Sequence, residues 1–184
     1  MDKPASSQRG FTLIELVIAL TIAGILLAIA VPTFQALQAN ATVTSEVNHV
    51  VHYLHLARSE AIKQGQNSVL CASADGERCN QSTEWQHGFI VFADLNKNRQ
   101  HDSDEPLLAH HQPNEARITI LSSTSEYGRK TIVYLPSGMG SGSTATMEFC
   151  DPAKIGAAKA VILSNTGRPR VAEKRPDGSK ISCG

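Results

Sequence analysis

Gly10-Phe11-Thr12-Leu13-Ile14-Glu15-Leu16, with the apolar run that continues to Val31, is the stretch on which the reading of this chain turns. Leu16 to Val31 carries no charge, and Thr21 is its one clearly polar residue. Counted back to Phe11 the run is 21 residues, or about 30 Å as a helix, which matches the hydrocarbon core of a bilayer. Glu15 stands out, because a carboxylate inside a membrane segment costs on the order of a few kcal/mol unless it finds a partner. A ten-residue polar leader, Met1 to Gly10, precedes Phe11, and a stalk and a head follow the run. Lys3 and Arg9 lie just before it, so the positive-inside rule puts the leader in the cytoplasm and the remainder across the membrane.

These residues resemble the prepilin leader of type IV pilins and type II secretion pseudopilins. The resemblance implies cleavage by a prepilin peptidase between Gly10 and Phe11, methylation of Phe11 as the new first residue, and Glu15 as the fifth residue of the mature chain. Pro32 matches the family's proline at the end of the spanning half-helix. In that setting Glu15 pairs with the free amine of Phe11 on a neighbouring subunit. Two other readings compete. A secretory signal would be cut after Ala28-Ile29-Ala30, but the run is long for one and Glu15 has no place in it. A plain single-pass anchor would leave Glu15 unexplained.

The chain has 184 residues with 17 acidic and 17 basic side chains. Loss of the leader, with Asp2, Lys3 and Arg9, leaves 16 acidic and 15 basic, so overall charge says nothing about partners. The length suits an anchor plus one modest domain. Cys71, Cys79, Cys150 and Cys183 all follow the membrane run, on the side where disulfides persist. Three pairings are open. Cys71–Cys79, closing a short loop, and Cys150–Cys183, tying down the C-terminus, are favoured. No CxxC spacing is present, which argues against a zinc ribbon or a thioredoxin-like site.

Beyond Pro32, Val43, Val47, Val50, Leu54, Ala57 and Ala61 recur at helical spacing, and Gly65 supplies a stop. One helix from Phe11 to about Gln64 is expected, bent or loosened near Pro32, laying this stripe on a sheet. His49, His52 and His55 sit three apart, but the first and third are about 240° apart around the axis, so a helix flank is expected there rather than a metal site. The head should be antiparallel β, with strands at Ser68–Ala72, Gly88–Ala93, Ile118–Leu121, Thr131–Leu135, Thr146–Cys150 and Ala160–Ser164. The fold class is therefore α+β: a long N-terminal helix on an antiparallel β-rich head. Its divisions are a leader at 1–10, a helix at 11–64 with 11–31 crossing the membrane, and a head at 65–184.

Ala57-Arg58-Ser59-Glu60-Ala61-Ile62, followed by Gln66 to Cys71, resembles the stalk end and first strand of GspH/FimT-type minor pilins. A solvated helix end is the plainer account of Arg58 and Glu60. Gly138 to Ser143 lacks the Lys-Ser/Thr and helix start of a phosphate loop. From Asp94 to Glu105, oxygen-bearing side chains fall at calcium-loop positions one, three, five, seven, nine and twelve. Arg99 stands where such a loop wants glycine, and the flank is a strand, so Asx-type turning of a hairpin is the expectation. His87, His101, His110 and His111 form no catalytic pattern. Neither an enzymatic activity nor a cofactor is expected.

Between Asp151 and Gly184, Lys154, Lys159, Arg168, Arg170, Lys174, Arg175 and Lys180 face only Asp151, Glu173 and Asp177, a local excess of four positive charges. Such a concentration attracts phosphate, and the arginine fork suits it. Gly167-Arg168-Pro169-Arg170 resembles the C-terminal DNA-binding motif of FimT-type minor pilins. The resemblance implies that Arg168 and Arg170 grip backbone phosphates while Gly167 lets the loop approach closely, the five lysines and arginines around them widening the patch. Without aromatic residues in this tail, binding would be independent of sequence. The expected protein is a minor pilin of the inner membrane, its head in the periplasm, later built into or at the tip of an extracellular pilus. Its expected partners are other major and minor pilins, the prepilin peptidase and DNA taken up in natural transformation. The alternatives are a GspH-like pseudopilin of type II secretion and a priming subunit without ligand.

Overall fold

The computed structural model describes residues 12–113, 118–123, 129–141, 144–181 and 183. The chain divides into two compact units, Met1–Leu37 and Gln38–Gly184, and helix α1 (Leu13–Gln64) contributes to both. In the first unit Thr12 caps α1. Its hydroxyl accepts the Glu15 N–H at 3.3 Å and its carbonyl accepts the Leu16 N–H at 3.2 Å. The Thr-x-x-Glu spacing sets a carboxylate in the first turn, where the helix dipole favours it. All the large apolar side chains from Leu13 to Leu37 are exposed, and mean hydropathy reaches 2.7. That segment is long and apolar enough to cross a membrane. Its hydroxyls fit that solvent too, because Thr21 and Thr33 donate to the carbonyls of Val17 and Ile29 at 2.8 and 2.9 Å. Pro32 lies within α1 and has no N–H for the Ala28 carbonyl.

In the second unit the stripe Val43, Val47, Val50, Leu54, Ala57 and Ala61 is the buried face of α1. The helix ends where Gly65 takes φ +66° and donates to the Ala61 carbonyl at 3.1 Å, a left-handed stop that suits glycine. Among the described residues eight strands follow: β1 (Asn67–Ala72), β2 (Phe89–Asp94), β3 (Leu107–His111), β4 (Thr119–Ser123), β5 (Thr131–Tyr134), β6 (Ala145–Cys150), β7 (Lys159–Leu163) and β8 (Pro169–Ala172). They form two antiparallel four-stranded sheets, ordered β3-β2-β1-β5 and β4-β6-β7-β8.

The stripe shares its core with both sheets. Leu70, Ala72, Phe89, Val91, Ile132 and Tyr134 meet it from the first, and Ile120, Met147, Phe149, Val161 and Leu163 from the second. Sequence periodicity anticipates one covering sheet, whereas the stripe is covered by two. The alternate residues Val69, Cys71, Ile90, Phe92 and Val133 form a second small core on the far face of the first sheet. Hence β1 and β2 are apolar without alternation, being covered on both sides.

Two strands escape the sequence pattern. β3 and β8 are edge strands of mixed exposure, so neither shows a clean period of two. β8 also begins with a proline, a residue sheets accept at an edge or a strand start. Leu54→Ala, at the middle of the fully buried stripe, should destabilise a fragment spanning 38–184 by about 2–5 kcal/mol, measured by chemical denaturation.

Candidate functional site

The basic segment is built on the β7–β8 hairpin. Its turn closes when the Gly167 N–H donates to the Ser164 carbonyl at 2.9 Å, with Gly167 at φ +75°. Gly167 is buried, and a Cβ there would stand 2.3 Å from the Gly138 carbonyl oxygen and 3.0 Å from Tyr134 Cε1. Here Gly167 lets two loops of the head pack together.

Gly138 in turn connects to α1. Arg58 Nε donates to its carbonyl at 2.9 Å, and a Cβ on Gly138 would lie 2.8 Å from Ile62 Cδ1. The helix-end segment Ala57–Ile62 therefore docks the β5–β6 loop, which docks the β7–β8 turn. Arg58 is a positioning residue, not a solvated one. A helix-end arginine gives no sign in sequence of the loop it reaches 80 positions away. Glu60 is half-buried and bonds along the helix to Lys63 and Gln64.

The seven cations do not act as one set. Lys159 Nζ donates to Thr44 Oγ1 on α1 at 2.9 Å. Arg175 is held bidentately by the buried Glu148 carboxylate, with Nη2 to Oε2 at 2.9 Å. Both are internal struts. Lys154, Arg168, Arg170, Lys174 and Lys180 are exposed and have no side-chain hydrogen bond or ion pair among the described residues. Register places Arg170 opposite Ile162, itself opposite Thr146, on the face of the second sheet turned away from the core residues Met147 and Val161. Lys174 and Lys180 oppose each other in a bridge closed by the Arg175-to-Gly178 turn. The C-terminal segment is fastened by Arg175–Glu148 and by the Cys150–Cys183 disulfide, with Cα atoms 5.6 Å apart. Cys71 and Cys79 form the other disulfide, also at 5.6 Å.

The Asp94–Glu105 loop is closed by its own donors. Glu105 accepts the Leu95 N–H at 2.7 Å and the Asp102 N–H at 3.2 Å. Asp102 accepts the Asn96 and Asn98 amides at 2.8 and 2.7 Å, which hold its carboxyl below the usual range. Asp94 accepts the Arg99 N–H at 3.3 Å, and its Oδ1 is buried without a partner among the described residues. Burial, with Glu105 nearby, raises the Asp94 carboxyl. Arg99 itself takes φ +62°, the left-handed conformation that a calcium loop assigns to glycine. The oxygens here turn the chain.

Of the histidine row, His52 and His55 are exposed, whereas His49 meets His111 with ring centroids 4.9 Å apart. Glu15 is exposed in the first turn of α1; the expected processing pair, Gly10 and Phe11, lies outside the described residues.

Residues 46–167 match the family described as type II transport protein GspH, and residues 5–31 match the prokaryotic N-terminal methylation motif. The pilin-like protein PilA1 of Thermus thermophilus is 31% identical over 173 residues, covering 90% of this chain and 99% of that protein. A fimbrial protein of Pseudomonas aeruginosa is 40% identical over 83 residues, covering 45% of this chain and 49% of its own. The solved type IV minor pilin FimU of Pseudomonas aeruginosa superposes with a TM-score of 0.53 at 17% identity, over 76% of this chain and 92% of that one, a likeness of fold. Gly167→Ala should lower the melting temperature of the 38–184 fragment by several degrees, since left-handed backbone and a clash with a carbonyl act together. An unchanged melting temperature would remove the packing role given to Gly167.

Proposed function

The chain belongs to the GspH family, and on that premise we propose that its primary work is filament assembly, through the half-helix Leu13–Leu37. It is a minor pilin or pseudopilin, processed by a prepilin-type peptidase, with one N-terminal membrane-spanning helix and a globular head. One observation carries the assembly reading. The apolar side chains of this half-helix are all exposed, around a single carboxylate in its first turn. Such a surface is stable in lipid or against similar helices, and Glu15 calls for a positive partner in either. The free amine of a neighbour's Phe11, created by cleavage after Gly10, meets that need.

Five exposed cations favour a second reading in which the head also captures DNA. Lys154, Arg168, Arg170, Lys174 and Lys180 would contact backbone phosphate without reading bases. Arg168 and Arg170 carry most of it, since the arginine fork can hold phosphate bidentately. Lys159 and Arg175 are engaged within the fold and contribute little.

Glu15→Ala should leave processing and membrane insertion intact while depleting the protein from sheared filaments, followed by N-terminal sequencing and immunoblotting. Normal incorporation would remove the pairing argument. For the second reading, Arg168→Ala with Arg170→Ala should weaken duplex retention at least about tenfold in gel shifts of the 38–184 fragment, and added salt should abolish the wild-type shift. Equal affinity of the double variant would reject Arg168 and Arg170 as the site.

A further inference from the structure

The stripe face of α1 is flanked by a side-chain cluster that neither the filament nor the basic hairpin uses. Among the described residues, Glu46, His49 and His111 each bring one ligand atom to within 4.8 Å of the others. Glu46 and His49 are three apart on α1 and so share a face. His111 closes β3, the edge strand of the first sheet.

The orientation of His111 is set by its surroundings. Its ring stacks on Phe89 at 4.9 Å and 28°, and meets His49 edge to face at 4.9 Å and 79°. Tyr53 Oη donates to the His110 carbonyl at 2.8 Å, which holds β3 against the helix. Within this frame His111 Nε2 is buried with no hydrogen-bond partner among the described residues, and it stands 3.7 Å from Glu46 Oε2, beyond hydrogen-bond range. Ligands about 2.0–2.2 Å from a tetrahedral ion lie about 3.3–3.6 Å from each other, so the three atoms, now within 4.8 Å, would have to draw together on binding.

We propose that Glu46, His49 and His111 form a binding site for a divalent transition-metal ion of the zinc class. The donor set decides the class. Two imidazoles with one carboxylate suit zinc and its neighbours, whereas calcium and magnesium take oxygen throughout. His49 is exposed, so the fourth position is open to water. An ion here would link α1 to β3, joining residues 65 positions apart that the backbone does not otherwise bond.

The test uses the full-length chain without an affinity tag, in detergent micelles, titrated with zinc by calorimetry and with cobalt by visible absorption. One zinc per chain, a rise in melting temperature and the ligand-field bands of cobalt are expected. His49→Ala and Glu46→Gln alter exposed or half-buried positions and should each weaken zinc at least about tenfold. His52→Ala and His55→Ala should bind as the wild type does. Absence of stoichiometric zinc binding overturns the proposal. So does wild-type affinity in His49→Ala, or loss of binding in His52→Ala or His55→Ala, which would move the ion to the exposed histidine row.

Discussion

Two sheets close on one helical stripe, and the rest of the head depends on that closure. Val43 to Ala61 offers valines and alanines at most of its contact positions, with Leu54 as the single larger residue. Small side chains let both sheets come near the helix axis, so residues from six strands enter one core. Polar ties hold the stripe at each end. Near its start, Asn40 Oδ1 accepts the Ala157 N–H at 2.7 Å and Thr44 receives Lys159. Near its end, Arg58 reaches the Gly138 carbonyl. The β6–β7 loop approaches so closely that a Cβ on Gly156 would stand 3.1 Å from the Ala39 backbone.

From Arg58 the constraint passes outward. Gly138 and Gly167 face each other across a gap too small for a methyl group, and Arg168 and strand β8 follow immediately after Gly167. The position of Arg168 and Arg170 is thus inherited from the helix end through two loops. On the outer face of the second sheet, the buried Glu148 requires a counter-charge, and Arg175 supplies it. One cation is taken from the surface so that the C-terminal segment can be fixed beside it.

The same α1 meets different surroundings along its length. From Leu13 to Leu37 the apolar side chains stand exposed on all sides, which is unfavourable in water and favourable in lipid or among similar helices. From Val43 onward they narrow to a stripe, as expected of a helix with one face on a core. Family membership accounts for both halves, since a pilin precursor is held in the membrane before it is assembled. The threonines of the first half are accommodated locally, Thr21 and Thr33 bonding to their own helix, whereas the Glu15 carboxylate is left exposed in the first turn.

What could be read without coordinates was local. The spanning run, the stripe at helical spacing, the glycine stop at Gly65 and most strands declare themselves within a few residues, because periodicity and backbone preference are properties of neighbours. The favoured cysteine pairing also coincides with the two disulfides present. Edge strands β3 and β8 stayed hidden, since half-exposed residues carry no clean alternation. So did every role that depends on a distant partner. Sequence shows seven cations in a tail, but cross-strand register and loop docking decide that Arg175 meets Glu148 and Lys159 meets Thr44. Gly167 reads as a flexible approach to a ligand until the Gly138 carbonyl is placed against it. His111 stands far from Glu46 and His49 along the chain, and only the packing of β3 on α1 brings their ligand atoms together.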